Sequence, residues 1–179
     1  MSDNDQDQVY YLTPHFKLDE FTCTDHVEFQ VLNRQIDANQ VNKLTQVAML
    51  EEKVRAVLGC GLENHSGYRC PQLNTAVGSS ARSQHLLCEA VDFQRWGQGQ
   101  TYDEETLDQD FKLIIAAAKA GKLKFGQLIK ESAKRYTDKN GVHISMWLHI
   151  SLGAPWRAAE RCGQCLSMLN GIFTLVATI

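Results

Sequence analysis

The chain has 179 residues, a net charge of −3, 44% hydrophobic and 22% charged residues, which suits one soluble globular domain able to bury its own core. It carries no basic stripe or polybasic tail to suggest a nucleic acid partner, and no apolar run of the roughly 18–20 residues that would make a transmembrane segment. The opening MSDNDQDQ is acidic and polar, so the expectation is a disordered tail over residues 1–10 and synthesis in the cytoplasm without a signal peptide. Residues 11–179 then form a single domain.

In chain order, LTPHFKLDEF reads as a turn at Pro14 and a brief helical piece from about Leu18. A long helix is predicted over 41–58. Val41, Leu44, Val47, Ala48, Met49, Val54, Val57 and Leu58 recur at three- and four-residue spacing, and Gly59 supplies the stop. ENHSGYR reads as a strand running into a turn, and Pro71 starts a short helix that ends at Gly78. The loop GSSARSQ leads to His85, and AVDF (90–93) reads as a buried strand. Thr101 with Glu104 makes a capping box for a second long helix over 102–120, closed by Gly121.

The last third is β-rich. FGQLIKE (125–131) and GVHISMWLHIS (141–151) both alternate, and the polar residues between them end in Asn140-Gly141, which suits a hairpin tip. GIFTLVATI has strand composition. The expected fold is α+β, with two main helices packed on a small, mostly antiparallel sheet. The six cysteines are scattered through the chain and read as free thiols in a reducing compartment. Cys162-Gly-Gln-Cys165 has the spacing of half a zinc knuckle, but no second pair accompanies it.

Alternation along VHISMWLHIS puts His143, Ser145, Trp147, His149 and Ser151 on one face, and Val142, Ile144, Met146, Leu148 and Ile150 on a core-facing one. Asp92, within an apolar strand, needs a partner for its charge, and a metal ion is one such partner. His85, Asp92 and His149 would leave a tetrahedral Zn²⁺ with one position open for water, whose pKa zinc brings to about 7. Glu131, on the strand expected to pair with that of His149, is the candidate proton shuttle. Residues alone leave this open, because a buried aspartate is often held by backbone amides and a strand histidine is often only hydrogen-bonded.

SGYRCPQLNTAVG (66–78), SQHLLCEAVDF (83–93), FGQLIKE and WLHIS, met in this order, resemble the zinc D-Ala-D-Ala carboxypeptidase family, and in particular the small peptidoglycan peptidases of phages. LTPHFKLDEFTC and RCGQCLSMLNG resemble the ends of the phage-type members. The resemblance implies a hedgehog/DD-peptidase-like fold, one Zn²⁺ on His85, Asp92 and His149, and Glu131 as the catalytic carboxylate. It implies that Arg69 and Ser83 place the substrate, a peptidoglycan stem peptide. Gln127 shares the strand face of Glu131 and is expected in the same cleft, with Trp147 and Trp96 as candidates for its floor.

Such a peptidase would cut a terminal D-Ala-D-Ala bond, a cross-link or an L-Ala-D-Glu bond, acting on the wall after release from the cytoplasm or as part of a virion. The alternative is a non-catalytic structural or wall-binding virion protein that keeps the fold. Cys88 stands where the resembled signature has glycine, which would strain the turn if the backbone there is left-handed. His15, His26, His65 and His143 are expected outside the site, and Glu89 at the surface.

Overall fold

The computed structural model describes residues 9–96, 103–138, 141–153, 163–169 and 172–179. Most of the expected tail, Thr101, Asn140 and Cys162 lie outside the described residues. The first helix, α1, spans Asp19–Thr22, and α2 spans Gln30–Asn33. The long α3 runs over Ala38–Leu58, three residues earlier than its apolar periodicity, because Asp37 and Gln40 form a reciprocal capping box. It closes on Gly59, which adopts the left-handed conformation (φ 67°). Its buried stripe contains Leu44, Val47, Ala48, Leu50, Val54 and Leu58, whereas Met49 faces out.

The strands are β1 (Gly61–Ser66), β2 (Ala90–Trp96), β3 (Gln127–Asp138), β4 (Gly141–Ser151), β5 (Gln164–Leu169) and β6 (Ile172–Thr178). Between β1 and β2 lie the short helix α4 (Pro71–Ala76), begun by Pro71, and a 3₁₀ turn over His85–Leu87. Helix α5 covers Glu104–Lys119 and starts later than expected. Its cap is Asp103, whose carboxylate accepts the Thr106 amide.

Among the described residues the sheet has the order β1-β2-β4-β3-β5-β6, antiparallel except for the β3–β5 pair. This is the expected α+β arrangement, with two differences. Strand β3 does not stop at Glu131. Its ladder to β4 continues through the polar stretch to Asp138, with an irregularity between Ala133 and Arg135, because main-chain pairing does not require apolar side chains. RCGQCLSMLNG contributes β5, which periodicity did not mark and which exists through its parallel partner β3.

One face of the sheet is the core. Val91, Phe93, Leu128, Leu148, Ile150 and Cys165 are buried there, with Leu107, Phe111 and Ile114 of α5 and the buried stripe of α3 in the same core. The apolar face foreseen for β4 is realised at Met146, Leu148 and Ile150. Residues of opposite parity line the other face, and they form the site. Among the described residues no helix is long and apolar enough to cross a membrane.

Candidate metal centre and cleft

Cross-strand register assembles the centre. Asp92 of β2 lies directly opposite His149 of β4, and Ser66 of β1 lies opposite Asp92 on the other side. Side chains directly opposite in an antiparallel pair share a face and meet. His85 comes from the 3₁₀ turn just before β2. Its Nε2 stands 3.2 Å from Nδ1 of His149 and 3.2 Å from Oδ1 of Asp92, while His149 Nδ1 is 2.8 Å from the same oxygen. All three residues are buried.

The rings are oriented from behind. His85 Nδ1 donates to the Gly67 carbonyl at 2.6 Å, leaving the Nε2 lone pair for the centre. Gly67 can hold that carbonyl there only without a side chain: a Cβ would stand 2.5 Å from the Phe21 carbonyl oxygen. Arg69 donates through Nη2 to Asp92 Oδ2 (2.6 Å) and through Nε to Ser66 Oγ (2.7 Å), fixing the carboxylate from its outer side.

Burial pushes the Asp92 carboxyl up, but the adjoining His85 and His149 prevail and hold it far below the usual carboxylate range. Burial lowers His85 against the opposing pull of Asp92. An ionised aspartate and a neutral histidine are the protonation states that a metal site requires.

Across the sheet, Glu131 sits fifth in β3 opposite Trp147, and Ile129 is opposite His149. Burial, then the charge of Asp92, raises the Glu131 carboxyl to about 7, against the lowering influence of His149, Arg69 and Trp147. Glu131, Trp147, Arg69, Ser83 and Gln127 line one cavity of about 930 Å³ with the three clustered residues. Ser83 Oγ accepts the His85 amide at 3.3 Å, and Gln127 donates to Gln164 Oε1 at 3.0 Å.

The family described as Peptidase M15 matches residues 14–129. The chain belongs to that family. M15 enzymes are zinc-dependent metallopeptidases, and His85, Asp92 and His149 form a group whose ligand atoms lie within 4.8 Å of one another and could hold the ion. Two imidazole nitrogens and a carboxylate oxygen suit zinc, and tetrahedral bonds near 2.0–2.1 Å set ligand atoms about 3.3 Å apart, close to the spacings present here. The M15 match includes His85 and Asp92 but ends before Glu131, Trp147 and His149. Strand pairing brings those three to the same cavity. No curated protein matches the chain.

Other residues are placed differently from expectation. Glu89 is buried and ion-paired with Lys43 at 3.0 Å, because it leaves the turn toward α3. Trp96 ends β2 with two-thirds of its surface exposed and stands beside Gly61 rather than in the cleft. His26 and His65, expected outside the site, line the cavity wall, while His15 pairs with Glu52 away from it. No motif contains His26 or His65. For His65, the irregularity of β1 between Asn64 and Ser66 interrupts the alternation that could have placed it.

Cys88 does adopt the left-handed conformation (φ 56°), at a cost of about 1 kcal/mol. Its thiol is buried and pushed up to about 12 by that burial, and the groups that act on it are Gln40, Lys43 and Asp37 of α3 and its cap and the adjoining Glu89. It therefore stays out of the metal cluster. Cys23, Cys60, Cys70, Cys88 and Cys165 are all free thiols.

Proposed function

We propose that this metallopeptidase hydrolyses peptide bonds of bacterial peptidoglycan stem peptides. The observation that carries the reading is the convergence of His85, Asp92 and His149 on one cavity wall, with a proton-accepting carboxylate, Glu131, on the adjacent strand. The peptidoglycan assignment is supported by the likeness of four ordered segments to D-Ala-D-Ala carboxypeptidases. Donors suited to a peptide carboxylate, on Arg69, Arg82 and Ser83, also line the cavity.

When bound, zinc supplies Lewis acidity, lowering the pKa of a water molecule and polarising a carbonyl. Glu131 takes the proton from the attacking water and delivers it to the leaving amine. In the metal-free protein this carboxyl is raised to about 7, chiefly by burial, so it can hold a proton near neutral pH. Arg69 and Ser83 orient the peptide, and Gln127 and Trp147 form the adjoining wall. A phage lysin or a virion-borne enzyme would meet this substrate in the host wall.

The test is zinc content together with digestion of purified peptidoglycan, comparing wild type, Glu131→Ala and His149→Ala. Wild type is expected to hold about one zinc and to release new amino groups. Glu131→Ala should keep the metal and lose turnover, whereas His149→Ala should lose both. Zinc binding with no cleavage of any wall preparation would refute the peptidase reading and leave a wall-binding or structural role.

A further inference from the structure

We infer that Gln84 is a positioning residue for the metal: it selects the tautomer of His149 that offers Nδ1 to the ion. The inference rests on the zinc reading above and concerns a side chain that neither the ligand set nor the proton shuttle includes.

His149 can hold a metal through Nδ1 only if its proton resides on Nε2. Nε2 faces the side-chain carbonyl oxygen of Gln84 at 3.1 Å. A glutamine is ambiguous at such a position, because its amide can present either an acceptor or a donor. Turned the other way, it would donate to Nε2, drive the ring proton to Nδ1 and set that proton against the place of the metal.

The orientation present here is supported one step further out. The Gln84 amide nitrogen donates to Ser151 Oγ at 2.8 Å, and the same oxygen accepts the backbone N–H of Gln127 at 3.0 Å. In this arrangement the hydroxyl oxygen accepts from both groups. The Gln84 carbonyl is left to face His149. Gln84, Ser151 and His149 are all buried, so water cannot substitute for a missing partner without rearrangement.

The arrangement also ties the third ligand to the start of β3. Ser151 ends β4 two residues after His149, and Gln127 begins the strand that carries Glu131. A single buried hydroxyl therefore connects the ring orientation of His149 with the strand of the candidate base. The Gln84 backbone has a separate task, accepting the amides of Leu87 and Glu89 in the turn that carries His85. Side-chain substitution leaves those bonds in place.

The experiment measures zinc affinity by chelator competition, and the visible spectrum of the cobalt-substituted protein, for wild type, Gln84→Met, Gln84→Glu, Ser151→Ala and His149→Ala. Methionine keeps the volume but removes the acceptor. Glutamate keeps the acceptor and can receive both the His149 N–H and the Ser151 hydroxyl proton. Gln84→Met is expected to weaken zinc about 10–100-fold and to alter the cobalt spectrum, while Gln84→Glu stays within about threefold of wild type with an unchanged spectrum.

A Gln84→Met affinity within about twofold of wild type would overturn the inference, as would Gln84→Glu being as weak as Gln84→Met, which would indicate packing alone. Should Gln84→Met fail to fold, Ser151→Ala decides: it frees the amide to turn and should weaken zinc, and an unchanged affinity overturns the proposal. Absence of zinc binding in wild type would sink the metal-centre reading itself, whereas tight wild-type binding with indifferent Gln84 variants sinks only this inference.

Discussion

Replacing Glu131 by glutamine should sharply reduce turnover and at the same time stabilise the metal-free protein at neutral pH. The carboxyl is raised from 4.5 to about 7, chiefly because burial disfavours its charge and secondarily because Asp92 repels it. A pKa difference of about 2.5 corresponds to about 3 kcal/mol. The unfolded chain releases this proton near pH 4.5 and the folded chain only near 7. Stability from this group is therefore complete below 4.5, falls as pH rises to about 7, and is constant above.

A glutamine side chain has no proton to release, so the variant lacks this slope. Urea denaturation of chelator-treated wild type and Glu131→Gln between about pH 4.5 and 8 should show curves that nearly meet at the acid end. They should separate to about 1–3 kcal/mol in favour of the variant at pH 7–8, the larger figure being an upper bound for a partly screened group. Bound zinc, which attracts the carboxylate, should narrow the gap. Peptidoglycan digestion by the variant should fall about 10²–10⁴-fold. A pH-independent difference, or a variant less stable than wild type at the alkaline end, would refute the assignment of Glu131 as a desolvated, strained base.

Three further outcomes are expected. Arg69→Leu strips the outer oxygen of Asp92 of its 2.6 Å partner and should destabilise the metal-free fold by about 3 kcal/mol, measured by urea midpoint, with weaker zinc binding by chelator competition. Gly67→Ala sets a Cβ against the Phe21 main chain and displaces the carbonyl that holds His85, so both the thermal midpoint and zinc affinity should drop. Cys88→Gly relieves about 1 kcal/mol of left-handed strain but gives up a fully buried side chain and adds chain entropy to the unfolded state. Its stability should therefore stay within about 1 kcal/mol of wild type, and its zinc affinity should be unchanged, by the same two assays.

Much of the fold was legible because the signals were local. The apolar spacing of α3, Gly59, Pro71 and the alternation of β4 each act within a few residues; Gly59 and Pro71 act as expected, the α3 spacing holds except at Met49, and the β4 alternation holds at Met146, Leu148 and Ile150. The cap of α5 illustrates where local reading weakens: Asp103 performs the task assigned to Thr101, since several capping side chains crowd one short stretch. Glu89 was misplaced for another reason. Polarity predicts exposure unless a partner such as Lys43 waits across the fold, and that partner is 46 positions away in sequence.

The candidate site divides in the same way. His85, Asp92, His149 and Glu131 could be named from residue type, strand parity and ordered motifs, because the chemistry limits which side chains serve. Their convergence could not be read from the chain alone. It depends on the register Asp92↔His149 and Glu131↔Trp147, and a slip of one residue would turn each side chain to the opposite face. Likewise the outer contacts of Arg69, Gly67 and Gln84, and the parallel strand β5 beside β3, arise only when distant segments meet. The amino-acid sequence by itself determined which groups could hold a metal and move a proton, whereas the tertiary structure decided that they face one another, since strand register and burial are properties of the assembled sheet.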